Sequence, residues 1–170
     1  RVREVCSEVA VETIKQCTQE ANAVAISRIE KFTTELIPRV EKIEKDFRSF
    51  SDPSFQFELR NAQKVAACTD RDGDYELLSE LLVHRIEKGD ERKTKASISK
   101  AIEIVDQVDE EALCALTLIY AINSWSAKSG NITQGLTVLN DLFATFCYTT
   151  LPQGLEWAYH LDILNAARVS

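Results

Sequence analysis

The first fifty residues carry one apolar stripe: Cys6, Ala10, Ile14, Cys17, Ala21, Ala25, Ile29, Phe32, Leu36, Val40, Ile43, Phe47 and Phe50. Every step is three or four residues, the spacing of one helix face and not of a strand. The pattern predicts a long amphipathic helix over residues 1–50. Pro38 interrupts it, yet the phase is the same on both sides, so the helix is expected to kink near Ile37 and keep its apolar side in one direction. At roughly 1.5 Å per residue it would span about 75 Å, which is longer than a compact domain of this size. Part of it must project or pair.

The stripe is mostly small from Cys6 to Ala25 and bulky from Ile29 to Phe50. Bulky residues suit packing on a body, and small ones allow two helices to approach closely. Residues 1–28 therefore read as a pairing or oligomerisation arm, with Cys6, Ala10, Ile14, Cys17, Ala21 and Ala25 as its contact residues; an arm folded back on the body is the alternative. The near-eleven-residue period favours a straight or slightly right-handed pairing over a strict heptad.

Beyond Phe50 the punctuation is regular. Ser51-Asp52-Pro53 is a cap followed by proline at the first helical position, predicting a helix to about Thr69 with Phe55, Leu59, Ala62, Val65 and Ala66 inward. Asp70 to Asp74 reads as a loop. A helix from Tyr75 to Lys88 presents Leu77, Leu78, Leu81, Leu82 and Ile86, and Gly89 closes it. Asp90 caps the next, about 91–107, with Ile98, Ala101, Ile102 and Val105 buried. Asp109, Glu110 and Glu111 mark another helix start, where the dipole favours carboxylates. That helix runs to Trp125, is apolar nearly all round, and is expected at the centre of the core; Gly130 ends it. Two more follow, about 132–148 and 153–168. Loops this short fold successive helices back on one another. The expected fold is all-α: a long kinked N-terminal helix over residues 1–50, then an antiparallel helical bundle or short array of helical hairpins over 51–170.

Composition agrees. Five Gly and three Pro in 170 residues leave little turn material for a strand-rich fold. Cys6, Cys17, Cys68, Cys114 and Cys147 are odd in number and share no C-x-x-C spacing. They fit reduced thiols on buried helix faces of a cytoplasmic protein. The chain opens at Arg1 without a signal-like segment, which suggests a piece of a longer product. Its longest uncharged run, 112–127, is too short and polar to span a bilayer. Charge is uneven: residues 1–50 hold nine basic and nine acidic side chains, residues 51–108 nine and twelve, residues 109–170 only two and six. A charge-poor final third marks core helices or a partner-covered face.

The acidic loop does not fit a calcium-binding EF-hand, because counting from Asp70 puts glycine at the fourth position and Leu81 at the twelfth. His84 and His160 are the two histidines. Glu156 and His160 share a helix face, but no zinc-ligand spacing surrounds them, and neither histidine has a nucleophile elbow beside it. No phosphate-binding glycine loop occurs. Lys88, Arg92, Lys93, Lys95 and Lys100 are interleaved with Glu87, Asp90 and Glu91, the arrangement of a solvated helix junction more than of a nucleic-acid face.

The run Asp52-Pro53-Ser54-Phe55-Gln56-Phe57-Glu58-Leu59, followed by Ala62-Gln63-Lys64, Gly73-Asp74 and Leu77-Leu78-Ser79-Glu80-Leu81-Leu82-Val83-His84-Arg85, resembles the D-P-x-F-Q-x-x-L-x-x-A-Q core of an uncharacterised bacterial family of helical proteins known mainly from genome locus tags. The resemblance covers roughly residues 1–122 and departs at Ala67-Cys68, where the family has alanine-arginine. It implies an all-α fold and a bacterial source, with an Asn/Gly-rich segment often upstream and assembly in a conflict or defence system as a setting. It implies no activity.

The expected function is a non-enzymatic protein-interaction or assembly module that self-associates or binds a protein, with no catalytic residue, cofactor, metal or membrane span. Two alternatives remain. One is a helical enzyme, which needs Glu156, His160 and Asp162 to converge; the other is weak nucleic-acid binding through Lys88 to Lys100.

Overall fold

The computed structural model describes residues 2–44, 47–88, 91–126, 128, 131–146 and 153–168, with residues 2–10 and Phe146 described by backbone alone. Among these there are seven α-helices, one 3-10 turn and no strand. They are α1 (Val2–Ile43), the 3-10 turn (Arg48–Ser51), α2 (Pro53–Cys68), α3 (Asp72–Lys88), α4 (Arg92–Ile104), α5 (Glu110–Ser124), α6 (Ile132–Phe146) and α7 (Glu156–Ile163). The expected closure at Gly89, cap at Asp90 and stop at Gly130 lie outside the described residues. The chain divides into two compact units, Arg1–Asp106 and Gln107–Ser170.

In the first unit the bulky half of α1 packs on α2 and α3, and α4 closes against both. Phe32, Leu36 and Val40, one helical turn apart, meet Phe55, Ala62 and Ala66 of α2, Tyr75, Leu78 and Leu82 of α3, and Ile98 and Ile102 of α4 in one buried cluster. Ala62 and Ala66 leave room for Phe32 and Tyr75, the largest fully buried side chains. The helix runs on through Pro38, which sits at an exposed position and removes one backbone donor.

Helix α1 ends at Ile43, seven residues short of the expected Phe50. Phe47 takes a left-handed conformation (φ 49°, ψ 34°) and the 3-10 turn follows. The stripe still reaches the core, because Phe47 stacks edge-on against Phe50 at 5.5 Å and Phe50 against Phe55 at 5.1 Å. Two aromatic residues at the right spacing thus extended the helical pattern through a tight turn. The Glu44 carboxylate accepts the Ser49 amide at 3.0 Å, and that backbone bond is the main cause holding it below the ordinary glutamate range.

The acidic loop is a structural lock. Helix α3 starts at Asp72 rather than Tyr75. Asp74 is buried and accepts from the Thr69 hydroxyl and from Arg71 Nε at 3.0 Å. The Tyr75 hydroxyl donates to the Thr69 carbonyl at 3.0 Å, and Arg71 reaches the Val105 carbonyl at 3.0 Å. From α1, Arg28 donates to the carbonyls of Ala67 and Cys68 at 3.2 and 3.1 Å, closing the C-terminal end of α2.

In the second unit α5 packs with α6 and with α7. Asp109 caps α5, its Oδ1 accepting the Ala112 amide at 2.7 Å as its position in the sequence predicts. Yet α5 is not the centre of the core. It buries Ala112, Cys114, Ala115 and Ala121, but leaves Leu116, Ile119, Tyr120 and Ile122 exposed. An all-round apolar helix here means one packed face and one bare face.

Candidate interaction surfaces

Ile14, Cys17 and Ala21 are exposed on α1, and Ala25 is half-buried. Every residue from Val11 to Val24 is exposed, and Ile14 is 64% exposed. Burial begins at Ala25 to Ile29 and is complete at Phe32. One continuous stripe is therefore half core and half bare surface. The side chains of Cys6 and Ala10 lie outside those described. Cys17 and Cys68 are exposed, contrary to the expectation of buried thiols, while Cys114 is buried. Cys68 terminates α2, its carbonyl accepting from Arg28, and Cys17 lies on the bare part of α1.

The second surface is in the second unit. Leu116, Ile119 and Tyr120 stand at i, i+3 and i+4 on α5, on the side away from the buried Cys114 and Ala121. On α7, Ala158 and Leu161 are buried, while Tyr159 and Ile163 are 53% and 77% exposed. The missing charge of this region is legible in the sequence but leaves core and partner-covered face open, because burial and an uncovered face leave the same composition.

Glu156, His160 and Asp162 do not converge. His160 Nε2 donates to the Gln107 carbonyl at 3.0 Å and lies 3.8 Å from Asp109 Oδ2. This fastens α7 to the start of α5. Glu156 and Asp162 are exposed, and among the described residues no side-chain hydrogen bond or ion pair joins either to His160. Among the described residues, too, no three His, Cys, Asp or Glu side chains gather as a metal site. Along the basic run, Lys88, Arg92 and Lys93 are exposed, Lys95 is half-buried, and Lys100 lies 3.5 Å from Glu103.

A polar cluster that sequence reading missed joins α2, α3 and α4. Arg85 and Glu58 are both buried, with Nε 2.8 Å from Oε2. The N–H is not aligned for a hydrogen bond, so the contact is one of charge. Arg85 Nη2 also donates to Ser54 Oγ at 2.9 Å and lies 3.4 Å from Asp52, and the Ser99 hydroxyl donates to Glu58 at 3.3 Å. Asp52 meanwhile caps α2 through the Ser54 amide. Its carboxyl is held below the ordinary range chiefly by hydrogen bonds from Ser54, the side chain first and the backbone second. A shallow cleft of about 440 Å³ opens beside the cluster, lined by Ser49, Asp52, Phe55, Arg85 and Lys88 among others. Of the charges lining it, Arg85 and Asp52 are turned toward one another, which suits a structural role. An arginine ending a leucine-rich helix was the sequence signal, but only the fold supplies its partner from another helix.

No helix among the described residues is long and apolar enough to cross a membrane. Comparison with curated proteins and with solved structures finds no match. A family model of the "-like" kind matches residues 1–167, past Ile122 where the motif resemblance stopped. The chain belongs to that family over nearly its whole length.

Proposed function

We propose that this chain is a non-enzymatic assembly module whose first 28 residues pair with the same segment of a second copy. The observation that carries this reading is the bare half of the α1 stripe, exposed from Val11 to Val24 in register with the buried half. A helix of this length stays folded in water more readily when its apolar side is covered. Small side chains at Cys17, Ala21 and Ala25 suit close helix approach, and Glu12, Lys15 and Glu20 leave the segment nearly neutral. A bacterial source and a conflict or defence setting are the context the sequence resemblance favours, and a cytoplasmic location is the one that cysteines without a disulfide framework favour.

Light scattering on the full chain tests this. The expected mass is at least twice the 19.1 kDa of one chain, falling to one chain in the Ile14→Glu/Ala21→Glu variant. A single-chain mass for both proteins would refute self-pairing.

A further inference from the structure

The second unit presents a face whose chemistry specifies a different kind of partner. On α7, Glu156, Tyr159 and Ile163 are spaced i, i+3 and i+7, so they share one outward side, and Asp162 stands next to Ile163. All four are exposed. The opposite side of α7 is occupied by Ala158 and Leu161 in the packing with α5, and His160 is tied to the Gln107 carbonyl. The outward side therefore pairs an aromatic and a branched aliphatic residue with two carboxylates. Helices α5, α6 and α7 contain no Lys or Arg at all. The whole span from Gln107 to Ser170 holds six acidic and two basic residues.

From this we infer that the outward face of α7 docks a basic amphipathic helix: a segment with apolar residues at helical spacing flanked by Lys or Arg. An exposed apolar patch rimmed by polar residues is the signature of a protein contact, and a helix laid on such a face is read through anchors at i, i+3, i+4 and i+7. The rim decides the occupant. A second copy of the same face would set Glu156 and Asp162 against their own counterparts, whereas a basic helix meets both carboxylates with opposite charge. Tyr159 and Ile163 would supply the buried contact and the carboxylates the orientation and the approach rate. This face belongs to the second unit and the α1 arm to the first, and the two readings stand or fall independently.

The test is an anisotropy titration of the full chain with two fluorescent helical peptides of about 15 residues, identical except that one carries Lys and the other Glu beside its Leu stripe. The Lys peptide is expected to bind and the Glu peptide not to. Tyr159→Ser/Ile163→Ser should abolish binding. Glu156→Gln/Asp162→Asn should weaken it about tenfold, the effect of two rim charges. Glu12→Gln/Glu20→Gln on α1 and the arm variant Ile14→Glu/Ala21→Glu should leave it unchanged. All these positions are exposed on helices, and circular dichroism checks that each variant folds. Equal binding of both peptides, binding of neither, or equal losses from the α1 and α7 carboxamide variants would each overturn the proposal. Continued peptide binding by a monomeric arm variant would separate this face from self-pairing.

Discussion

Removing Arg85 tests the energetics of the first unit most sharply. Arg85 and Glu58 are buried with 2.8 Å between Nε and Oε2. At an effective dielectric of about 20, charges at that separation attract by roughly 6 kcal/mol. Desolvation costs several kcal/mol for each ion, so the pair is close to break-even compared with two apolar side chains. Deleting one partner is different, since the attraction goes and the survivor's desolvation remains. In Arg85→Leu, Glu58 keeps the Ser99 hydroxyl at 3.3 Å, too weak a substitute for a guanidinium, and the expected loss is about 3–5 kcal/mol. Glu58→Leu should cost less, about 1–3 kcal/mol, because Arg85 keeps Asp52 at 3.4 Å and the Ser54 hydroxyl at 2.9 Å. The double variant, with both charges gone, should fall within about 1 kcal/mol of the parent. Urea unfolding followed by helix circular dichroism gives all four corners of the cycle. Single variants that each lose less than about 1 kcal/mol, or a double variant that loses the sum, would refute this reasoning.

Other consequences follow from named contacts. Phe32→Ala empties the space between α1, α2 and α3 and should cost about 3–5 kcal/mol by the same assay, whereas Ile14→Ala on the bare part of the stripe should change the stability of the monomer by less than about 0.5 kcal/mol. Asp74→Ala removes the acceptor shared by Thr69 and Arg71 and should cost about 1–3 kcal/mol in thermal unfolding. Asp52 and Glu44 both have folded-state carboxyls lowered by hydrogen bonds to the ionised form. Their stabilisation is therefore complete above the unfolded carboxylate range near about pH 4 and is lost as pH falls through the lowered folded values. Asp52→Asn should melt lower than the parent at neutral pH and show a flatter fall on acidification; parallel melting curves would contradict this.

Much of the helical framework follows from local pattern. Asp52-Pro53 starts α2 where cap chemistry predicts, Asp109 starts α5, and the inward leucines Leu78 and Leu82 of α3 are buried. These succeed because caps and 3.6-residue spacing act within a few residues. The misses are of other kinds. Phe47 and Phe50 keep the stripe's rhythm while the backbone turns at Phe47, since a 3-10 turn can return an aromatic residue to the same core. The buried Glu58–Arg85 pair spans 27 positions of sequence, and no local pattern selects one carboxylate among twelve in that third of the chain. The pattern puts α5 at the centre of the core because hydrophobicity says that a residue avoids water, and not which neighbour covers it. His160 was placed with Glu156 by helical spacing but is held by the Gln107 carbonyl, a contact formed by tertiary packing.

Hydrogen exchange along α1 tests the central claim directly. If the bare half of the stripe pairs with a second copy, amides from Val11 to Val24 should become more protected as protein concentration rises, and the Ile14→Glu/Ala21→Glu variant should abolish that rise. Amides near Phe32 to Val40, covered within one chain, should be protected equally at every concentration. Fast exchange of Val11 to Val24 at all concentrations, the same in parent and variant, would contradict the assembly reading.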